Sequence, residues 1–309
     1  MSAPYDREPG HPLLKERLES PAITVDFDAL PLHWQRTLLV FACERPRGLE
    51  DGPWLAAALR GAWGQQLLRA TESEGRRATD PFGRPSARDV FFRTHAWVTS
   101  KLPVPRPFVI SITGDGRTMR IALTLFGFAG FWRKDARDAM AAALAHGLPL
   151  REGGGQRRPW VLRDVYWGRS ETVPVPEDIP GEVVVRLTTP LCLKANGPLA
   201  NDVDELVMSL VNRLSGLARW QGVRIETDWS GWREISKRLS VRWLNSVGYT
   251  MRRYSSAQPG REIPHAGILG RFSVEGPLQP LMPLLFLGET AHAGARTAFG
   301  FGAYEVIGW

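Results

Sequence analysis

The sequence predicts an α+β protein made of two tandem ferredoxin-like (βαββαβ, RRM-like) domains with a basic helical insertion in the second. Three observations predict it. Between residues 31 and 172 strand-like and helix-like periodicities follow one another as strand, helix, two strands, helix, strand. After a proline-rich stretch at 173–180, read as a linker, the same order restarts and runs through 181–309. A chain of 309 residues, 43% hydrophobic and 23% charged, is long and apolar enough for two such cores.

Taken in order, residues 1–30 are rich in proline and charge without steady periodicity, which predicts a loose leader with a short helix at Pro12–Leu18. Trp34–Phe41 reads as the first strand and Trp54–Arg69, after Gly48, Gly52 and Pro53, as the first helix. The aromatic and β-branched run Asp89–Thr99 reads as strand, as do Phe108–Thr113 and Thr118–Leu125 around the turn Gly114-Asp115-Gly116. Asp135–His146 is an alanine-rich helix stopped by Gly147, and Trp160–Trp167 closes the first unit. In the second, Glu182–Thr188 reads as strand and Asp202, with Glu205 three residues on, caps a helix reaching Trp220. Tyr249–Tyr254 and Ile268–Val274 read as strands, Leu278–Leu287 as helix and Ala303–Ile307 as the last strand. Trp232, Ile235, Leu239 and Trp243 lie three or four apart, which predicts a helical insert over about 230–248.

The formal net charge is +7, and all but five of the 39 cations (Lys15, Lys101, Lys134, Lys194 and Lys237) are arginine, the side chain suited to bidentate phosphate contacts. The excess concentrates at 230–261, where Arg233, Lys237, Arg238, Arg242, Arg252, Arg253 and Arg261 face one acid, Glu234. A solvated helix face is the plain alternative to a polyanion site. Two cysteines, Cys43 and Cys192, cannot make a four-ligand metal site, so no metal or cofactor is implied. The longest apolar runs, 121–132 and 281–287, fall short of a membrane span, and the expectation is a cytoplasmic protein. Of the twelve tryptophans most, including Trp63, Trp97 and Trp220, read as core.

From Pro283 to Val306 an apolar helical run leads into Gly288, His292, Gly294, Arg296, Gly300 and Gly302. Glycines that dense beside a cation suggest backbone held close to a ligand such as a phosphate. The spacing is neither a Walker loop nor a dinucleotide fingerprint. With the tandem pattern, Leu287-Gly288-Glu289, His292, Gly294, Arg296-Thr297-Ala298-Phe299-Gly300-Phe301-Gly302 and Tyr304 resemble the C-terminal signature of the CRISPR-associated RAMP proteins, and within them the repeat-processing endoribonuclease, the sixth Cas family. Arg253-Tyr254-Ser255 with Gln258, Gly270–Gly276 and Leu59-Arg60-Gly61-Ala62 extend the likeness, and the arginine richness is similar to type IV versions.

The resemblance implies a protein that binds CRISPR repeat RNA, both precursor and mature crRNA, and cuts it without metal, the ribose 2′-hydroxyl acting as nucleophile. It further implies retention of the product beside other Cas effector subunits. Where many relatives carry a histidine after the Arg-Gly-Ala segment, this chain has Gly64-Gln65-Gln66. The catalytic candidates are therefore Arg60, His33 and His292, each with a plainer alternative: a phosphate contact, a surface residue and a helix cap. Arg238, Arg242, Arg252 and Arg253 are the expected phosphate contacts, and Gly294, Arg296, Gly300 and Gly302 the expected backbone cradle. Two other functions stay open: a non-catalytic crRNA-binding RAMP subunit, and a nucleotide enzyme using the glycine loop.

Overall fold

A computed structural model of the chain describes residues 11–48, 52–75, 84–115, 117–149, 157–193, 203–254 and 262–308. The first unit contains β2 (Arg36–Glu44), α2 (Trp54–Gly75), β5 (Phe108–Asp115), β6 (Thr118–Phe126), α4 (Arg133–His146) and β9 (Val161–Ser170). Its sheet runs β5-β6-β2-β9, antiparallel throughout. The second contains β10 (Glu182–Leu187), α5 (Val203–Trp220), β12 (Ser240–Tyr254), β13 (Glu262–Glu275), α7 (Leu281–Ala291) and β14 (Tyr304–Gly308), in the order β12-β13-β10-β14. In both sheets the first strand of the motif sits centrally, beside the third and fourth, with the second at the edge. This is the ferredoxin-like order, and it appears twice.

Alternation explains why each sheet has one apolar face. Leu39, Phe41 and Cys43 on β2, with Ile121, Leu123 and Leu125 on β6, turn toward α2 and α4; Val183, Val185, Phe272 and Val274 turn toward α5 and α7. Burial holds the Cys43 thiol neutral, its pKa pushed up to about 12. Trp63 and Trp220 are buried, and their indole nitrogens donate to Ala136 O at 3.1 Å and Pro105 O at 2.9 Å. Trp97, expected in the core, is instead half exposed on the short pair β3 (Trp97–Thr99) and β4 (Leu102–Pro103).

Three expectations are corrected. The leader carries the expected short helix but is not loose around it: α1 (Pro12–Glu19) buries Leu14 and Leu18, and β1 (Ile23–Val25) pairs in parallel with β11 (Val223–Ile225). Arg219 Nη1 donates to Leu18 O at 2.7 Å, so this N-terminal segment straps onto the second unit. The run at 89–99 begins as a helix, α3 (Ala87–Phe92), because Ser86 and Asp89 form a reciprocal capping box. The basic insert is helical only over α6 (Trp229–Lys237), N-capped by Asp228; from Ser240 polar and apolar residues alternate and pair with β13. Arg238 and Arg242 therefore do not share a helix face. Two further short strands, β7 (Leu148–Pro149) and β8 (Arg157–Arg158), pair with each other. Asp202 and the turn residue Gly116 lie outside the described residues. Among the described residues no helix is long and apolar enough to cross a membrane.

Candidate functional site

The chain from Ala291 to Tyr304 folds as a compact loop between the two units. Two of its non-glycine residues, His292 (φ 62°) and Arg296 (φ 65°), take left-handed backbone, a conformation retained only where surrounding contacts enforce it. The enforcing contacts are visible. Ala293 N donates to Gly302 O and Gly302 N to Pro190 O, at 2.8 and 2.9 Å, while Ala295 N donates to Cys192 O at 2.8 Å. Gly288 and Glu289 belong to the same construction. A Cβ on Gly288 would lie 2.1 Å from the Tyr304 hydroxyl, which donates to Leu285 O, and Glu289 Oε1 accepts from Val306 N at 2.6 Å.

The glycines have little room for an RNA backbone. A Cβ on Gly302 would meet Ala293 O at 1.8 Å, one on Gly294 would meet Cys192 O at 2.6 Å, and one on Gly300 would meet Ala56 Cβ of α2 at 2.4 Å. Their amides are engaged too: Gly294 N donates to Ser209 Oγ, Gly300 N to Thr297 O and Gly302 N to Pro190 O. The expected cradle of Gly294, Gly300 and Gly302 amides is corrected accordingly. The body held close to these glycines is the protein itself. Arg296 is half-buried on the same loop.

Gly300 brings α2 of the first unit against the loop of the second, and this contact places Arg60. Its guanidinium lies 4.2 Å from the Phe299 ring centroid and 5.0 Å from that of Phe92, a cation held between two aromatic faces. Behind Phe299 stands a residue that sequence reasoning missed, His265 on β13. Its ring packs 5.6 Å from Phe299 and 5.8 Å from Phe301; it is buried, and neither ring nitrogen has a hydrogen-bond partner among the described residues. Buried polar atoms left unpaired are costly and uncommon. The sequence signal was a lone histidine after Pro264, ahead of the strand read at Ile268–Val274.

His292 is buried as well, with both nitrogens used. Nδ1–H donates to Phe301 O at 3.2 Å and Nε2 accepts from the Ser111 hydroxyl of β5 at 3.2 Å. Burial first, and the Arg213 cation second, push its pKa down to about 3, so it is neutral at physiological pH. His33 ends a 3-10 turn, Leu30–His33, and is half-buried; the indole of the adjacent Trp34 donates to Thr290 Oγ1 at 2.9 Å. Arg238 caps the C-terminus of α6, exposed. Arg242 is exposed on β12, 3.4 Å from Glu182 across the intervening strand. The Arg252 and Arg253 side chains lie outside the described residues.

Residues 185–304, from β10 to the start of β14, match the family model "CRISPR-associated endoribonuclease Cas6". That segment is similar to the Cas6 family. Solved Cas6 structures share the fold along most of the chain. A Cas6 product complex matches with a TM-score of 0.51 and 19% identity over 88% of this chain and 99% of that chain. A Cas6 substrate-mimic complex gives 0.52 and 19% over 88% and 99%, and Thermus thermophilus Cas6 gives 0.51 and 13% over 89% and 99%. No curated protein matches the sequence. The family match spans the compact loop, His265 and the basic strip of α6 and β12.

Proposed function

We propose that the chain binds CRISPR repeat RNA and cleaves precursor crRNA at one position, without metal, as a Cas6-type endoribonuclease. The observation that carries this is the Cas6 match over residues 185–304, in which the compact loop meets Arg60 of α2. In this reaction the 2′-oxygen attacks the adjacent phosphorus, the P–O5′ bond breaks, and a 2′,3′-cyclic phosphate and a 5′-hydroxyl result. The proton leaves O2′ and another arrives at O5′.

Arg60 is assigned the charge that develops on the phosphorane, since a guanidinium fixed between two rings loses little freedom on meeting a phosphate. His33 is assigned proton transfer because solvent reaches it. His265 is a positioning residue that backs the Phe299 ring against Arg60. His292 holds Phe301 and Ser111 together and takes no part in proton transfer. Arg238 and Arg242, with Arg252, Arg253 and Arg296, contact phosphates. The two domains divide at 173–180; the product stays bound, in the cytoplasm, among other Cas subunits of an arginine-rich, type IV-like effector.

Purified protein in EDTA, given repeat RNA from the CRISPR array of its own genome, should cut once and leave a cyclic phosphate, and a 2′-deoxy substitution at the cut should abolish cleavage. Cleavage of the deoxy substrate at an undiminished rate sinks the mechanism. One observation favours a second function, a crRNA-binding subunit without catalysis: Gln65, exposed on α2, occupies the region where many members of the family place a histidine. Tight binding with no product over hours would select it.

A further inference from the structure

The end of the first sheet at which β2 stops collects cations. Glu44, the last residue of β2, pairs with Thr118 at the start of β6 and Val161 at the start of β9. Around it, among the described residues, stand Arg45 and Arg47 after β2, Arg117 and Arg120 at the start of β6, and Arg157, Arg158 and Arg163 on β8 and β9, against the acids Glu44, Asp115 and Asp164. One carboxylate organises two of these arginines. Glu44 Oε2 accepts from Arg117 Nη2 at 2.9 Å, and Glu44 Oε1 accepts from Arg163 Nε at 3.0 Å. The Glu44 side chain is 22% exposed, whereas those of Arg117 and Arg163 are 71% and 62% exposed. Two guanidiniums share a single negative charge, keep a net positive one and leave most of their donors open to solvent. Such a pair suits a phosphodiester backbone, and its ordering by Glu44 lowers the rotamer cost of meeting one.

A short path joins this end to Arg60 and to the basic strip. Arg45 N donates to Arg117 O at 2.8 Å, and the chain then runs to Gly52, where a Cβ would come 3.9 Å from the Tyr249 hydroxyl of β12. α2 starts two residues later, and Arg60 stands six residues into it, ~9 Å along its axis. From Tyr249 the strip runs back along β12 to Arg242, seven residues and ~23 Å away. Arg60 therefore stands where two basic surfaces meet, one from each unit. We propose that the RNA crosses this junction, the segment on one side of the cut lying along the strip of Arg242 and the segment on the other side lying on Arg117 and Arg163 of the first sheet. This surface deepens the RNA-processing function and rests on it.

The test compares the native protein with Arg117→Gln/Arg163→Gln and with Arg242→Ala, measuring affinity for the full repeat RNA across a salt series and then for RNAs shortened from either end. Glutamine keeps a donor for Glu44 at both positions, and exposed ion pairs contribute little to folding, so the double variant keeps the fold. On the full RNA the double variant should lower the salt slope by about 1.4, two single-strand phosphate contacts at ~0.7 each. Shortening from one end should erase that difference while Arg242→Ala still differs from the native protein, and shortening from the other end should do the reverse. An unchanged slope in the double variant overturns the surface, leaving the arginine end to an acidic protein, and spares the RNA function. Loss of both differences on shortening from the same end overturns the division of the RNA at Arg60. No RNA binding by the native protein overturns the surface and the function together.

Discussion

Acidification tests the placement of His292. Protonating Nε2 would set a donor against the Ser111 hydroxyl proton and a second cation near Arg213. The folded pKa, about 3, lies below the ordinary 6.5, so the neutral ring favours the fold. That contribution is complete above about pH 6.5 and is lost as pH falls toward 3, because the unfolded chain takes the proton first. At pH 5 the loss amounts to about 2 kcal/mol, from ~1.5 pH units at ~1.36 kcal/mol each. Urea unfolding followed by tryptophan fluorescence at pH 7 and pH 5 measures it, with His292→Asn as control. Asn can retain a donor and an acceptor but does not titrate, so its stability loss on acidification should be about 2 kcal/mol smaller. His95, whose pKa is also lowered by burial, contributes equally to both proteins and cancels. Parallel losses in the two would show that the His292 ring is not the buried neutral group described.

Other substitutions separate the loop from the basic strip. Gly300→Ala combines a left-handed backbone (φ 83°) with a Cβ 2.4 Å from Ala56, and should cost about 2–4 kcal/mol in urea unfolding; a native-like midpoint would mean that α2 does not press on the loop. Arg60→Ala should lower single-turnover cleavage about 100-fold to 1,000-fold with a small change in RNA affinity, and Arg60→Lys should restore little; loss of affinity alone would make Arg60 a binding residue. Arg242→Ala breaks only an exposed pair with Glu182, worth under about 1 kcal/mol to folding. It should instead weaken RNA binding and flatten the salt dependence by about one phosphate contact, and an unchanged slope would remove Arg242 from the interface.

Long periodic segments made the fold legible. Leu39, Phe41 and Cys43, and the 3.6-residue rhythm of α5, identify their faces without tertiary information. Short apolar runs did not: Val90-Phe91-Phe92 suits a strand or a helix, and Ser86 with Asp89 three residues later was the capping signal that decided it. Trp232 to Trp243 kept helical spacing by chance across a helix end at Arg238. In the candidate site, glycine density correctly marked close approach but not the body approaching. A sequence cannot tell a phosphate over Gly300 from Ala56 over Gly300, since both exclude a Cβ. His265 was illegible for a related reason: what distinguishes it is that its buried ring nitrogens find no hydrogen-bond partner among the described residues, a property of packing alone.

The glycines bear on the proposed chemistry through the arginine they position. Arg60 sits two turns into α2, one turn beyond Ala56, and the absence of a side chain at Gly300 lets that turn settle onto the loop. Only then does Phe299 reach the guanidinium at 4.2 Å. The cation thus belongs to the first domain and the ring beneath it to the second, so the site exists only while the two are docked. The N-terminal strap and the Trp34–Thr290 bond hold the same docking from other sides. Any change that loosens one domain from the other should therefore reduce cleavage before it reduces binding to the basic strip, which lies wholly on the second domain.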